Sequence, residues 1–96
     1  MDSARGHVAG PRQDHSVILY GLSTCGWCEQ AKEFLTEQGV AFDFTYVDLL
    51  DGEDLEAAVG EVKKWLPDPV FPLVVVDGRE VIAGFRQDRL EEVLGL

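Results

Sequence analysis

Two cysteines stand three positions apart in Cys25-Gly26-Trp27-Cys28, and the 96-residue chain holds no others. Thiols at this spacing can do redox chemistry. Residues i and i+3 share one helix face with Cβ atoms roughly 5–6 Å apart. A disulfide needs roughly 3.5–4.5 Å between Cβ atoms, so a small adjustment within a first helical turn can close or open the bond. The two sulfurs are predicted to be unequal. Cys25 falls at or just before a helix start, where unpaired N–H groups and the helix dipole stabilise a thiolate. Cys28 lies one turn in and faces the core. Cys25 is therefore the expected nucleophile and Cys28 the resolving thiol. Ser23 or Thr24 is placed to offer an N-cap hydroxyl. Gly26 leaves room for an approaching thiol, and Trp27 should stand exposed beside the site. Lys32 is opposed by Glu29 and Glu33, so the expected activation rests on the helix terminus rather than on neighbouring charge. Mononuclear zinc would need about four ligands. His7 and His15 are the only other soft donors, so no metal is expected at the dithiol. A Ser-His-Asp arrangement, a phosphate-cradling glycine loop and a nucleotide fingerprint are all missing.

The elements that must position this pair can be read along the chain. Ser16 to Tyr20 is a β-branched apolar run ended by Gly21 and reads as a buried strand. From Gly26 a helical pattern continues to Gln38, with Cys28, Ala31, Phe34 and Leu35 on one face and Gly39 as its stop. Ala41 to Val47 alternates Phe42, Phe44 and Tyr46 with Asp43 and Thr45, which predicts a strand near a sheet edge. Asp51 is placed to cap a second helix, with Glu53 and Asp54 in its first turn and Leu55, Ala58, Val59, Val62 and Leu66 as its stripe. Pro67 and Pro69 end it. Leu73 to Val76 is a buried strand, Asp77-Gly78 a two-residue hairpin signal, and Glu80 to Ala83 the returning strand. Asp88 to Leu94 reads as a last helix. The order β-α-β-α-β-β-α predicts an α/β fold: a mixed four-stranded sheet with helices on both faces. Residues 1–15 show no periodicity and are expected to be a flexible N-terminal tail, leaving 16–96 as the one domain.

Composition narrows the function classes. A formal charge of −10, from 8 Lys and Arg against 18 Asp and Glu, argues against nucleic acid and against anionic membranes. No apolar run reaches the ~18 residues of a membrane span, and no apolar stretch near Met1 resembles a signal peptide. Two cysteines are too few for a disulfide-stapled secreted scaffold. A cytoplasmic monomer is expected.

Together these features resemble the glutaredoxins, within the thioredoxin-fold superfamily, over about residues 16–95. Val17-Ile18-Leu19-Tyr20 followed by Cys25-Gly26-Trp27-Cys28 is similar to the family's first strand and active site. Phe71-Pro72 before Leu73 to Val76 resembles its cis-proline segment, and Asp77-Gly78 its hairpin. Gly84-Phe85-Arg86-Gln87-Asp88 occupies the place of its glycine-rich turn. The resemblance implies a thioredoxin-like fold and a substrate or glutathione surface around the dithiol. Thr24, Gly26 and Trp27 would form one side of that surface, and Phe71 and Pro72 a second. Gly84, Phe85, Arg86, Gln87 and Asp88 would form a third. The chain departs from the glutathione-using members in four places, one of them Pro69-Val70-Phe71-Pro72, where they often have Thr-Val-Pro. Leu22 stands where they usually carry a lysine, Phe85 replaces a second glycine and Gln87 a first aspartate. Gly84-Phe85-Arg86 is more similar to small glutaredoxin-like redoxins that behave as thioredoxins and deliver electrons to ribonucleotide reductase.

The expected activity is thiol–disulfide exchange on protein disulfides or glutathione mixed disulfides, with no cofactor required. Glutathione or a thioredoxin reductase would be the electron donor. The rival reading is a dimeric carrier of a [2Fe–2S] cluster, with Cys25 and glutathione as ligands, which Gly26 permits. A third is a catalytically silent interaction domain using Trp27 and Phe71.

Overall fold

Three short runs rich in Val, Ile, Leu and Phe, which suit a pleated surface, form the centre of a mixed sheet. A computed structural model describes residues 4–96. Its strands are β1 (Arg5–Val8), β2 (Val17–Gly21), β3 (Phe42–Tyr46), β4 (Leu73–Val76) and β5 (Glu80–Ala83). The helices are α1 (Gly26–Glu37), α2 (Gly52–Trp65) and α3 (Gln87–Leu94), and a 3-10 turn spans Val47–Leu49. The sheet order is β1-β3-β2-β4-β5. β2 and β3 are parallel, joined through α1, whereas β1–β3, β2–β4 and β4–β5 are antiparallel.

Alternation along the strands sends side chains to opposite faces, and each face has its own core. On one face Val17, Leu19, Phe42, Val74 and Val76 meet Ala31, Phe34 and Leu35 of α1 and Leu90 and Leu94 of α3. On the other, Tyr20, Leu73 and Val75 meet Val62 of α2, with Ile18, Leu55, Val59 and Phe71 around them. The thioredoxin-like α/β architecture with helices on both faces is therefore present.

The expected sheet of four strands is corrected to five. Residues 5–8, taken with the rest of 1–15 as a flexible tail, form β1 along the outer side of β3, in register Arg5–Thr45 to Val8–Phe42. Arg12 fastens the same segment. Its N–H donates to the Gly39 carbonyl at 2.8 Å, its own carbonyl accepts from the Ala41 N–H at 3.0 Å, and its Nε donates to the Gln38 carbonyl at 2.9 Å. Residues 1–3 of the expected tail lie outside the described residues. Because β1 pairs with it, β3 is not an edge, and its polar Asp43 and Thr45 alternate with Phe42 and Tyr46 inside the sheet.

Two smaller expectations also change. Asp51 holds the N-cap position of α2 but makes no side-chain cap hydrogen bond. The hairpin loop between the paired Val76 and Glu80 is three residues long, not two. Asp77 and Gly78 both adopt positive φ, and Arg79 N–H closes the turn on the Val76 carbonyl at 3.0 Å.

Candidate active site

β2 runs into Gly21 and the loop Leu22-Ser23-Thr24 before α1 begins. The loop is shaped from two sides. The Cys25 N–H donates to the Leu22 carbonyl at 3.1 Å. The Asp48 carboxylate, reaching over from the 3-10 turn, accepts the Ser23 N–H at 2.8 Å and the Ser23 hydroxyl at 2.5 Å. These bonds hold the Asp48 carboxyl below the usual carboxylate range, the Ser23 hydroxyl contributing most.

Neither Ser23 nor Thr24 caps α1. Ser23 Oγ is taken by Asp48, and Cys25 is itself the N-cap, in extended conformation with φ −93° and ψ 116°. Its Sγ accepts the Cys28 N–H at 3.1 Å, where a serine or aspartate oxygen would ordinarily sit. Both cysteines are free thiols, Cys25 partly exposed and Cys28 fully buried. Burial pushes the Cys28 thiol up to about 12, aided by its hydrogen bond with Cys25, while a backbone bond from Leu22 acts in the opposite direction. An ionised sulfur at that depth would lose its water without gaining a cation. Lys32, the nearest cation in the sequence, is engaged with β3. Its Nζ donates to the Tyr46 hydroxyl at 2.8 Å and lies 3.9 Å from the centre of the Phe44 ring. The Tyr46 hydroxyl in turn donates to Glu29 at 2.8 Å.

Of the expected surface, Gly26 and Trp27 adjoin the two cysteines in the chain. Gly26 faces open space. Trp27 is 62% exposed, and its ring lies 6.3 Å from that of Phe85, which makes an edge contact with Phe34 at 6.1 Å. An aromatic chain thus runs from solvent into the core beside the dithiol. Phe71–Pro72 is a cis peptide. The Pro72 carbonyl accepts the Gly84 N–H at 2.8 Å, tying the proline segment to the turn before α3. Phe71 packs in the same apolar cluster as Leu22. Thr24 is exposed. Arg86, Gln87 and Asp88 bond within the start of α3 rather than to the dithiol. Arg86 Nε lies 3.5 Å from Asp88, and Gln87 donates to Glu91 at 3.2 Å. The described residues contain no group of three or more His, Cys, Asp or Glu arranged for a metal ion, and no helix among them is long and apolar enough to cross a membrane.

Two contributors escaped the sequence reading. Asp48 sits 23 residues beyond Cys25 and carries no motif signal. Gly21 reads only as a strand terminator, yet a Cβ there would lie 3.1 Å from both Cβ and Sγ of Cys28.

A dithiol whose first sulfur caps a helix and whose second is buried, on this α/β scaffold, defines a redox protein of the thioredoxin fold. The glutaredoxin family model matches residues 17–81, and the chain belongs to that family. Among solved structures it is similar to the glutaredoxin of Methanosarcina mazei Go1, at 41% identity and a TM-score of 0.90 over 98% of this chain and 90% of that one. It is also similar to Methanosarcina acetivorans methanoredoxin, at 34% identity and a TM-score of 0.90 over 99% and 100%. The gene 56 protein of Mycobacterium phage L5 is 33% identical over 81% of this chain and 71% of its own length. Glutaredoxin-C1 of Arabidopsis thaliana is 26% identical over 70% of this chain, which spans about half (52%) of that relative.

Proposed function

We propose that this protein is a thiol–disulfide oxidoreductase that uses both cysteines on protein disulfides or glutathione mixed disulfides. The observation that carries the reading is the inequality of the sulfurs. Cys25 is accessible and accepts a backbone N–H at the helix start, and Cys28 is buried and held protonated. The Cys25 thiolate attacks a substrate disulfide and forms a mixed disulfide with it. Cys28 then attacks Cys25, releasing the reduced substrate and leaving a Cys25–Cys28 disulfide. Reactivity in both steps follows thiolate fraction and access. No cofactor is needed for this cycle.

The oxidised protein is reset by glutathione or by a thioredoxin reductase. The apolar Leu22, and the ring of Phe85 tilted toward Trp27 at 6.3 Å, support the reductase, as in the small redoxins the sequence resembles. Ribonucleotide reductase is one protein disulfide such a donor would serve.

Turnover of a disulfide substrate in two parallel systems tests this. One contains glutathione and glutathione reductase, the other NADPH and thioredoxin reductase. Activity with the reductase alone is the expected outcome. Activity with glutathione alone would mean that Arg86, Gln87 and Asp88 suffice for glutathione recognition. Cys25→Ser should abolish turnover in either system. An inactive wild type in both would overturn the dithiol reading, and a brown dimer from anaerobic purification would then mark a [2Fe–2S] carrier.

A further inference from the structure

Two residues outside the Cys25–Cys28 pair touch what the dithiol cycle must move. Gly21 closes β2 in regular strand pairing, opposite Tyr46, and its φ is not positive. Its lack of a side chain is therefore a matter of space rather than of backbone conformation. A methyl group there would lie 3.1 Å from Cys28 Cβ and Sγ and 3.3 Å from Leu19 Cδ2. Leu19 and Cys28 are both fully enclosed, and Cys28 is the nearer, so the methyl presses hardest on the thiol side chain. On the other side of the loop, Asp48 grips both the N–H and the hydroxyl of Ser23, two residues before the nucleophile.

We propose that Asp48 positions the attacking sulfur and Gly21 the resolving sulfur, so that the two steps of exchange are set separately from the 3-10 turn after β3 and from the end of β2. The inference rests on the dithiol reading above. In the first step a Cys25–substrate bond forms, the substrate S–S bond breaks, and the departing thiolate takes a proton from water. In the second, the Cys28 sulfur bonds Cys25 Sγ, the mixed disulfide breaks, and the second substrate thiolate leaves with the proton that Cys28 gives up. Two electrons pass from the dithiol to the substrate, and a thiol reductant later returns them.

Asp48 acts on the first step because releasing Ser23 frees the loop that places Cys25 at the N-cap. Gly21 acts on the second because a methyl there crowds the reduced Cys28 sulfur at 3.1 Å. Forming the disulfide draws that sulfur toward Cys25. Gly21→Ala therefore penalises the reduced form more than the oxidised form and makes the pair more reducing.

Two readouts on the full chain separate these effects. The first is the dithiol–disulfide midpoint in dithiothreitol redox buffers, read by alkylation and mass. The second is the rate of attack on bis(2-hydroxyethyl) disulfide in a Cys28→Ser background. Gly21→Ala should shift the exchange equilibrium about tenfold toward the disulfide, about 30 mV for a two-electron couple, with a smaller change in attack rate. Asp48→Ala should slow attack about tenfold and move the midpoint little. Asp48→Asn, whose amide can still accept from the Ser23 N–H and donate to Ser23 Oγ, should restore most of the rate. If both substitutions move both readouts together, or move neither, the proposal is overturned. If Gly21→Ala alone unfolds, adding Cys28→Gly removes both the Cβ and the sulfur that the methyl meets and should restore folding, and failure to do so overturns the Gly21 assignment. A wild type that never forms the Cys25–Cys28 disulfide in these buffers overturns both this inference and the dithiol reading. A normal wild type whose variants fail to separate the two readouts refutes the positioning roles alone.

Discussion

Cys28 is buried to zero exposure without a cation beside it, and that fact makes the reduced protein sensitive to alkaline pH. Its thiol is pushed from an ordinary 9.0 up to about 12 in the folded chain. Between these values the unfolded chain has lost the Cys28 proton while the folded chain keeps it. The folded state then binds more protons, so stability falls as pH rises. This contribution is whole below about pH 9 and declines toward pH 12. Tyr20 and Tyr46 are also raised, chiefly by burial, and add the same trend in either redox form. Urea midpoints of the reduced and the disulfide forms, compared at pH 8 and pH 10.5, cancel the tyrosines. The reduced form should lose more stability than the oxidised form, and equal losses would refute a buried protonated Cys28. Iodoacetamide at neutral pH should correspondingly label Cys25 well before Cys28. At this scale the dithiol was legible in the sequence because helical spacing alone puts Cys28 inward and Cys25 at the terminus. The residues that fix it were not. Asp48 reaches Ser23 only through the parallel pairing of β2 with β3, and the need for Gly21 is a distance to another side chain.

The strands and helices around the site follow from period and punctuation, and β1 shows where those signals fail. Arg5-Gly6-His7-Val8 has one apolar residue, a glycine and two polar side chains, too little alternation to mark a strand. Its partner supplies the reason it forms. Gly6 lies against the Phe44 ring, which a Cβ at position 6 would meet at 2.6 Å. The turn that follows is as tight. A Cβ on Gly10 would press into the carbonyl oxygen of Gly39, and Gly39 holds φ +73° just beyond α1. Neither backbone has slack, because Arg12 bonds the Gly39 and Gln38 carbonyls on the next step. Gly10→Ala is therefore expected to destabilise the fold by about 1–3 kcal/mol, the usual range for overpacking. Urea unfolding measures this. A change within about 0.5 kcal/mol, the scale of an inconsequential surface substitution, would mean that the N-terminal segment is not docked as described. The same contacts join β1 to the C-terminal end of the helix whose first turn holds the dithiol. α1 has no basic residue in its last turn, and the Arg12 guanidinium supplies the cation that the helix dipole favours there.

For the molecule as a whole, the formal charge of −10 sits on a chain whose largest exposed apolar side chain among the described residues, Trp27, stands between Cys25 and Cys28 in the sequence. A field of that sign accelerates encounters with cationic partners and slows anionic ones, and salt screens both effects. Exposed ion pairs consume little of it. Among the described residues Arg5, Lys64, Arg86 and Arg89 each pair with one carboxylate, which leaves most acids unneutralised. The reduced protein should therefore attack cystamine, a dication, faster than the neutral bis(2-hydroxyethyl) disulfide after correction for each disulfide's intrinsic reactivity toward a small thiol. That advantage should shrink about threefold or more as ionic strength rises from roughly 0.02 to 0.5 M, where the screening length falls from over 20 Å to about 4 Å. A dianionic disulfide should show the opposite slope. Parallel behaviour of all three probes would place the acidic field away from Cys25 and make it a matter of solubility alone. Opposed slopes would instead give the field a part in partner choice, favouring disulfides and reductases whose docking faces are basic.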